Sequence, residues 1–365
     1  MLEGFTKGFF GCMMTVLKYI RTKNMERSEL FKKIESARGS KVITYVTSDR
    51  QGPVSAKIAM DVIPLMSEQL RTIGKVPKID LVLFSAGGDT MVPWRLVSMI
   101  REYCDTFSVL VPYKAHSAAT MIALGADEIV MTDMGELTPI DPSTANVFNP
   151  ADPQNPQARI PISVEEVMAY FDLAKEGVGI KGDEELTKIF NKLADSTPSV
   201  HPLALGNVNR TYKLIRLLAK RLLGSHQTKL DEKAIDGIID TLTEKLYSHQ
   251  YVIGRREAKE DLGIKTVSYA EGELATLLTS LYESYRDEMV LHGQWSPEAE
   301  CGEFRAENKK DYVIAAIESA EKSNRFEIRM EFKKTQQVVP QQTPQGIVNV
   351  QQEQVSFRIV NQGWK

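Results

Sequence analysis

Two segments, separated by a predicted helix and strand, decide the fold: Leu81-Val-Leu-Phe-Ser-Ala-Gly-Gly-Asp89 and Val111-Pro-Tyr-Lys-Ala-His-Ser-Ala-Ala-Thr-Met-Ile-Ala-Leu-Gly-Ala-Asp-Glu-Ile-Val-Met131. The first begins with an apolar run typical of a buried strand, and the second begins at the end of another such run, residues 107–112. Both continue into a loop. The first loop contains consecutive glycines, and the second places Ser117 directly before an apolar helical stretch. Functional sites of parallel α/β sheets lie beyond the carboxyl ends of the strands, which is where both loops fall.

Strands and helices alternate around these two segments. β-Branched and apolar runs predict the strands, and apolar residues at the helical period predict the helices between them. The predicted strands are residues 41–47, 79–84, 107–112 and 128–131, and the predicted helices are residues 56–74, 92–104 and 117–125. Near-continuous apolar strands separated by helices indicate an α/β fold with a mostly parallel sheet covered on both faces.

In the second half of the chain the predicted secondary structure changes twice, first to helices and then to a β-hairpin. A proline-rich loop over residues 139–161 precedes a layer of predicted helices, and strict alternation near the C-terminus predicts a β-hairpin. The predicted helices are residues 164–176, 183–194, 206–223, 229–246, 255–264 and 271–292, and the hairpin strands are 325–332 and 348–360. We therefore expect three parts: an N-terminal helical segment (1–38), a catalytic domain with a helical layer (39–292) and a C-terminal extension with the hairpin (293–365).

Composition excludes several classes of function. The 365 residues include 45 Lys and Arg against 48 Asp and Glu, a net charge of -3 that favours neither nucleic acid nor an anionic membrane. Three distant cysteines form neither a disulfide framework nor a zinc-ligand set, which fits a reducing, cytoplasmic setting. No Gly-x-x-x-x-Gly-Lys-Ser/Thr motif occurs, so any unfolding of a substrate would need a separate partner. We expect no metal and no cofactor.

The N-terminal segment 5–20, FTKGFFGCMMTVLKYI, is largely apolar. Its uncharged part, Gly8 to Leu17, has about ten residues, whereas a bilayer span needs roughly 20. This length favours a helix that packs or oligomerises over a membrane-surface anchor, and it favours both over a true span.

The two loops together have the chemistry of a nucleophile and an oxyanion hole. Consecutive glycines let backbone N–H groups face an anion, and the free N–H groups at a helix start stabilise negative charge. A serine at such a helix start can act as a nucleophile beside them. Taken alone, however, the Gly-Gly loop also fits a tight turn or a phosphate site, and Ser117 also fits a helix N-cap.

The combination of motifs is more specific. The two loops in this order, followed by Leu137-Thr-Pro-Ile-Asp-Pro142, resemble the serine dehydrogenase proteinase family, Clp-fold serine proteinases related to signal peptide peptidase A. The likeness covers about residues 42–142 and, more weakly, 251–264 and 317–319.

The resemblance implies a ClpP/crotonase-like fold and a serine peptidase with Ser117 as its nucleophile. It also implies an oxyanion hole from the N–H group of Gly87, in the Gly87-Gly88 loop, and the N–H group of Ala118, the residue after the serine, with Gly88 permitting the turn. By analogy with Clp-fold assemblies, we expect a homo-oligomer acting on peptides or proteins.

The general base does not follow the related families. The histidine position of Clp subunits falls in residues 139–142, and the lysine window of signal peptide peptidases falls in residues 157–172, yet neither stretch contains the required residue. The remaining candidates are His201, Lys181 and Lys175, and a lysine would need its pKa lowered by burial. Asp141 could orient a base.

Two polar residues that shortly precede Ser117, Lys114 and His116, need no catalytic role. We expect His116 to point away from the site and Lys114 to be solvated.

The sequence is compatible with three functions. The first is a serine peptidase that uses Ser117, and the second is a non-catalytic Clp-fold scaffold that binds partners, which the missing base favours. The third, a crotonase-type acyl-CoA enzyme, shares the fold, but nothing in the chain resembles an adenine-nucleotide site.

Overall fold

The computed structural model describes residues 25–140, 143–144, 146–195, 200–246, 248–302, 307–343 and 346–365. The apolar segment 5–20 and Asp141 lie outside these residues. Within them, no helix is both long and apolar enough to cross a lipid bilayer.

Thirteen strands are described in this part of the chain. They are β1 (Lys41–Thr47), β2 (Val76–Phe84), β3 (Cys104–Val111), β4 (Lys114–Ala115), β5 (Glu128–Met131), β6 (Glu136–Leu137), β7 (Ser143–Thr144), β8 (Ile162–Ser163), β9 (Ile253–Gly254), β10 (Val267–Tyr269), β11 (Glu307–Ser319), β12 (Ser323–Thr343) and β13 (Gly346–Trp364).

The α-helices of the described residues flank or cover these strands. They are α1 (Arg27–Arg38), α2 (Val62–Ile73), α3 (Val92–Ile100), α4 (Ala118–Leu124), α5 (Val164–Asp172), α6 (Asp183–Asp195), α7 (Pro202–Leu223), α8 (Glu232–Asp240), α9 (Arg255–Glu260), α10 (Gly272–Met289) and α11 (Pro297–Cys301). Two π-helical turns, Leu173–Gly177 and Thr241–Lys245, continue α5 and α8.

The main sheet has eight strands in the order β10-β5-β3-β2-β1-β11-β12-β13. The strands from β10 to β1 are parallel, whereas β11, β12 and β13 join β1 in antiparallel pairing. The expected α/β fold with a mostly parallel sheet and a C-terminal hairpin is confirmed. The hairpin strands also continue the central sheet through β11, because Ile43 of β1 pairs with Ser319.

Each face of the sheet packs against its own set of helices. On one face, α2, α3, α4, α7 and α8 bury apolar side chains against the inner strands, as Met66, Leu96 and Leu222 show. On the other face, α1 and α10 cover the sheet through residues such as Phe31 and Tyr285. The parallel strands are therefore buried on both sides, which explains their continuous apolar sequence.

Two predicted elements differ in their extent. The helix expected over 56–74 begins only at Val62, because the backbone of Ile58 pairs with Gly88 as an isolated parallel bridge. The helix expected over 92–104 ends at Ile100, because Cys104 already pairs with Val76 in the sheet. Pairing with distant residues therefore shortens both helices.

The helical layer over residues 164–223 forms a groove. Helices α5, α6 and α7 enclose a mainly apolar space of about 450 Å³ with Met168, Phe190 and Leu205 in its lining. The C-terminal end of α7 lies beside the end of α4, where Leu222 packs on Gly125.

Candidate active site

The Gly-Gly loop after β2 is held by the segment that precedes α2. Ile58 N–H donates to the carbonyl of Gly87 at 2.9 Å, and Asp89 N–H donates to the carbonyl of Ile58 at 2.8 Å. A Cβ on Gly88 would lie 2.2 Å from the carbonyl oxygen of Ile58, so only glycine allows this approach. Because Ile58 occupies one edge of the loop, the N–H of Gly88 faces the opposite edge.

Ser117 stands on that opposite side in a strained backbone conformation. Its φ of 51° is positive, which is uncommon for a residue other than glycine and recurs at functional sites. It directly precedes α4, and a Cβ on Gly87 would lie 2.8 Å from the Ser117 Cβ. The two loops quoted from the sequence therefore meet at Ser117.

A chain of hydroxyl groups fixes the start of α4. Ser117 N–H donates to Thr138 Oγ1 at 2.8 Å, and Thr138 N–H donates to Thr120 Oγ1 at 3.1 Å. The Thr120 hydroxyl in turn donates to the carbonyl of Ala115 at 2.7 Å. Sequence reasoning missed Thr120 and Thr138, although both belong to the segments that carry the family resemblance.

Two N–H groups remain available for an oxyanion. The N–H of Gly87 donates to Ser85 Oγ at 3.1 Å, and the Thr47 hydroxyl donates to the same oxygen at 2.7 Å. Within the described residues, neither Gly88 N–H nor Ala118 N–H has a protein acceptor. Gly88 N–H and Ala118 N–H could therefore both donate to a bound oxyanion, whereas Gly87 N–H already donates to Ser85.

The three bases expected from the sequence lie in the helical layer. His201 is the N-cap of α7, where its Nδ1 accepts from Leu203 N–H at 3.1 Å and its ring stacks on Phe148. Lys175 lies in the π-helical turn after α5, and Lys181 precedes α6; both are exposed. Among the described residues, no hydrogen bond or ion pair joins any of the three to Ser117.

His116, the residue before Ser117, is hydrogen-bonded to a carboxyl group. Its Nε2 lies 3.0 Å from Glu136 Oε1. Burial, aided by the charge of Lys114, lowers the pKa of His116 to about 4, while burial raises the pKa of Glu136. At neutral pH the His116 imidazole is therefore neutral, and its contact with Glu136 is a hydrogen bond rather than an ion pair.

A second histidine, His249, lies near enough to His116 for its charge to act on it, and the sequence reasoning missed it. The small sheet β4-β6-β9 pairs Glu136 with Gly254, which brings the turn at residues 248–251 toward the Ser117 loop. The charge of a protonated His249 also disfavours protonation of His116, which lowers the pKa of His116 further. Its distance of 132 positions from Ser117 exceeds the spacings of the related families, so those spacings do not point to it.

Lys114 was expected to be solvated, but it forms an ion pair with Asp49. Its Nζ lies 2.8 Å from Asp49 Oδ2, and His292 Nδ1 lies 2.7 Å from the same oxygen. His292 Nε2 also contacts the Tyr282 hydroxyl. Although burial acts in the opposite direction, Lys114 and His292 lower the pKa of Asp49. This network attaches the Ser117 loop to the ends of β1 and α10.

We expect Gly87→Ala to lower the activity at this site by about 10- to 100-fold, since it crowds Ser117 and disturbs the neighbouring N–H donors. The new Cβ would lie 2.8 Å from both the Ser117 Cβ and the His116 carbonyl oxygen, at a φ of 100° that disfavours alanine. Hydrolysis rates measured beside thermal unfolding check this. Gly206→Ala is the control, because its Cβ would have open space within α7. Equal rates for both variants would contradict the placement of Gly87.

Comparison with known proteins finds a family whose sequence model matches the region that contains both loops. Residues 6–157 match the sequence model of a family described as ClpP-like SDH-type serine proteinases. An uncharacterized protein of Methanocaldococcus jannaschii is 26% identical over 275 residues, which cover 74% of this chain and 83% of the relative. A second uncharacterized protein of that organism is 26% identical over 254 residues, 67% of this chain and 73% of the relative. The names of these relatives assign no activity.

Proposed function

We propose that this chain, whose residues 6–157 belong to the ClpP-like SDH-type serine proteinase family, is a serine peptidase with Ser117 as its nucleophile. The observation that carries the proposal is the position of Ser117, at a positive φ before α4 and against the backbone of Gly87. Structural N-caps usually have extended backbone, whereas Ser117 has a positive φ, and a strained serine at a strand-to-helix turn can expose its hydroxyl to a substrate.

The proposed reaction is acyl transfer to Ser117. Its Oγ attacks the carbonyl carbon of the scissile peptide bond while a base accepts the hydroxyl proton. The resulting oxyanion accepts hydrogen bonds from Gly88 N–H and Ala118 N–H, at the positive end of α4. The C–N bond then breaks, the protonated base gives its proton to the leaving amine, and water releases the acyl group from Ser117.

For the base, we propose His249. It lies in the turn that β9 holds beside β6, one strand away from the Ser117 loop. Histidine needs no large pKa shift to accept a proton near neutral pH, whereas the exposed Lys175 and Lys181 lack the burial that a lysine base requires. His116 is already hydrogen-bonded to Glu136, which leaves it a positioning role in the loop.

A fluorophosphonate probe followed by peptide mapping tests the proposed nucleophile. The proposal expects the adduct on the peptide that contains Ser117, together with cleavage of an unfolded protein substrate. A non-catalytic scaffold would give no adduct and no cleavage. An acyl-CoA enzyme would hydrolyse a thioester without cleaving the protein.

The assignment of the base gives a separate prediction. We expect His249→Ala to lower the hydrolysis rate by about 100-fold or more, which is the usual contribution of a general base. His201→Asn is the matched control, because asparagine preserves the N-cap of α7 that His201 provides. Full activity of His249→Ala, or an equal loss in His201→Asn, would refute His249 as the base while leaving Ser117 as the nucleophile.

A further inference from the structure

The last strand of the main sheet, β13, has an open outer edge. It pairs with β12 on one side only, and no strand of the described residues covers its other side. The opposite edge strand of the sheet is β10, which is short, with only three residues. A long open edge presents unpaired N–H and C=O groups that can pair with another strand.

The sequence of β13 lacks two residue types that normally protect such an edge. Proline and lysine block edge pairing, because proline has no N–H and lysine brings a solvated charge. Over Gly346–Trp364 there is no proline and no lysine, and the charged residues are Glu353 and Arg358. By contrast, β12 carries Pro340 with Lys333 and Lys334. Neither proline nor lysine therefore blocks strand pairing at the open edge of β13.

An apolar stripe extends to this edge. Val355, Phe357 and Ile359 alternate along β13 and share one face of the sheet. Phe357 is 39% exposed and Ile359 is 42% exposed. The Phe357 ring contacts Trp295 and Phe332, so the stripe continues the apolar cluster under the C-terminal strands.

We propose that β13 pairs in antiparallel fashion with β13 of a second copy, with Phe357 at the two-fold axis. A two-fold axis perpendicular to a sheet pairs residues whose side chains lie on the same face. In this register Phe357 faces the partner's Phe357, and Val355 faces the partner's Ile359. Arg358 faces the partner's Ser356, so no like charges meet.

Neighbouring registers of the same symmetry are less favourable. An axis at Glu353 or at Arg358 would place two like charges opposite each other, which destabilises a strand pair. An axis at Val355 would place Glu353 opposite the partner's Phe357. Among these registers, only the one with Phe357 at the axis pairs all three apolar residues of the stripe with apolar residues of the second copy.

The expected interface is small, and it joins only two copies. A bulge leaves Val360 without a partner in β12 and twists β13 there, which limits the regular ladder. The overlap, residues 350–364, provides about 15 residues a side, against roughly 20 to 30 for a standard interface. We therefore expect a dimer that dissociates at micromolar concentrations. Because the contact uses the same strand of both copies, it closes at two and does not build a ring.

Sedimentation equilibrium of the full chain tests the dimer. The wild type should shift from monomer to dimer with rising concentration, and Phe357→Lys should remain monomeric with at least a tenfold weaker association. Leu173→Lys is the control, because Leu173 is also an exposed apolar residue, 62% accessible, but lies in the helical layer. A monomeric wild type, a ring of more than two copies, or unchanged association in Phe357→Lys would overturn the proposal.

A cross-linking experiment covers the case in which Phe357→Lys does not fold. Opposed residues of antiparallel strands have Cα atoms about 4.5 to 5.5 Å apart, within the range of a disulfide. Mild oxidation should therefore link two copies of Phe357→Cys rapidly and Arg358→Cys several-fold more slowly. Equal cross-linking of the two variants would contradict the proposed register.

Discussion

Replacement of Ser117 by alanine is expected to abolish fluorophosphonate labelling and to lower peptide hydrolysis by at least about 1,000-fold. The substitution removes the oxygen that forms the acyl bond but keeps the backbone donors of the site. Because Ser117 N–H, not its side chain, holds Thr138 at the start of α4, the fold should persist. Steady-state hydrolysis and probe labelling, measured beside circular dichroism, check this result.

A matched serine variant separates catalysis from general damage. Ser356→Ala removes an exposed hydroxyl on β13 and should leave labelling and hydrolysis unchanged. If Ser117→Ala retains the labelling of the wild type, Ser117 is not the nucleophile. If it binds partner proteins as the wild type does and neither protein hydrolyses a peptide, the scaffold function replaces the peptidase.

Replacement of Glu318 by alanine is expected to destabilise the fold by about 3 to 5 kcal/mol. Glu318 is 4% exposed on β11, and its carboxylate accepts hydrogen bonds from Arg27 at 2.8 Å and from Tyr285 at 2.6 Å. Ser323 and Arg325 also donate to it. Its loss leaves a buried tyrosine hydroxyl and a largely buried guanidinium short of a partner.

Urea unfolding measures this effect against a surface control. Glu321→Ala removes a neighbouring glutamate whose ion pair with Lys41 is partly exposed, so the cost should stay below about 1 kcal/mol. Similar losses in the two variants would show that the Glu318 network does not hold α1 and α10 to the sheet.

The same carboxylate makes stability depend on pH. Although burial acts in the opposite direction, Arg27, Ser323 and Tyr285 lower the pKa of Glu318 from 4.5 to about 2. Because the folded state holds the proton less tightly, the contribution of Glu318 is fully present above pH 4.5 and is lost as the pH falls toward 2. The shift corresponds to about 3 kcal/mol. Glu318→Gln should therefore flatten the fall of the unfolding free energy between these pH values.

Local patterns were sufficient for much of the parallel sheet. The bounds predicted for residues 41–47 and 128–131 coincide with β1 and β5. These strands are buried on both faces, so their apolar runs stand out against the polar turns around them. The hairpin was also visible, since alternation at period two is a local property of a strand with one covered face.

Features that depend on distant residues were not visible. The strand β11 passed unnoticed, because only its pairing with β1 and β12 extends it through the charged stretch at its start. The sequence could not show which of Gly87 and Gly88 keeps a free N–H for the proposed oxyanion hole, since that depends on the contacts of the loop with Ile58 and Ser85. His249 was missed because the short strands β6 and β9, far apart in the chain, bring it near the loop.

The sequence by itself determined that a Gly-Gly loop and Ser117 follow neighbouring buried strands, because glycine tolerance and apolar periodicity are encoded within a few residues. Only the tertiary structure decided what surrounds Ser117. It placed His201 at a helix cap, Lys114 on Asp49 and His249 within electrostatic reach of His116. Those positions depend on pairing and packing between segments remote in the chain, which no local pattern records.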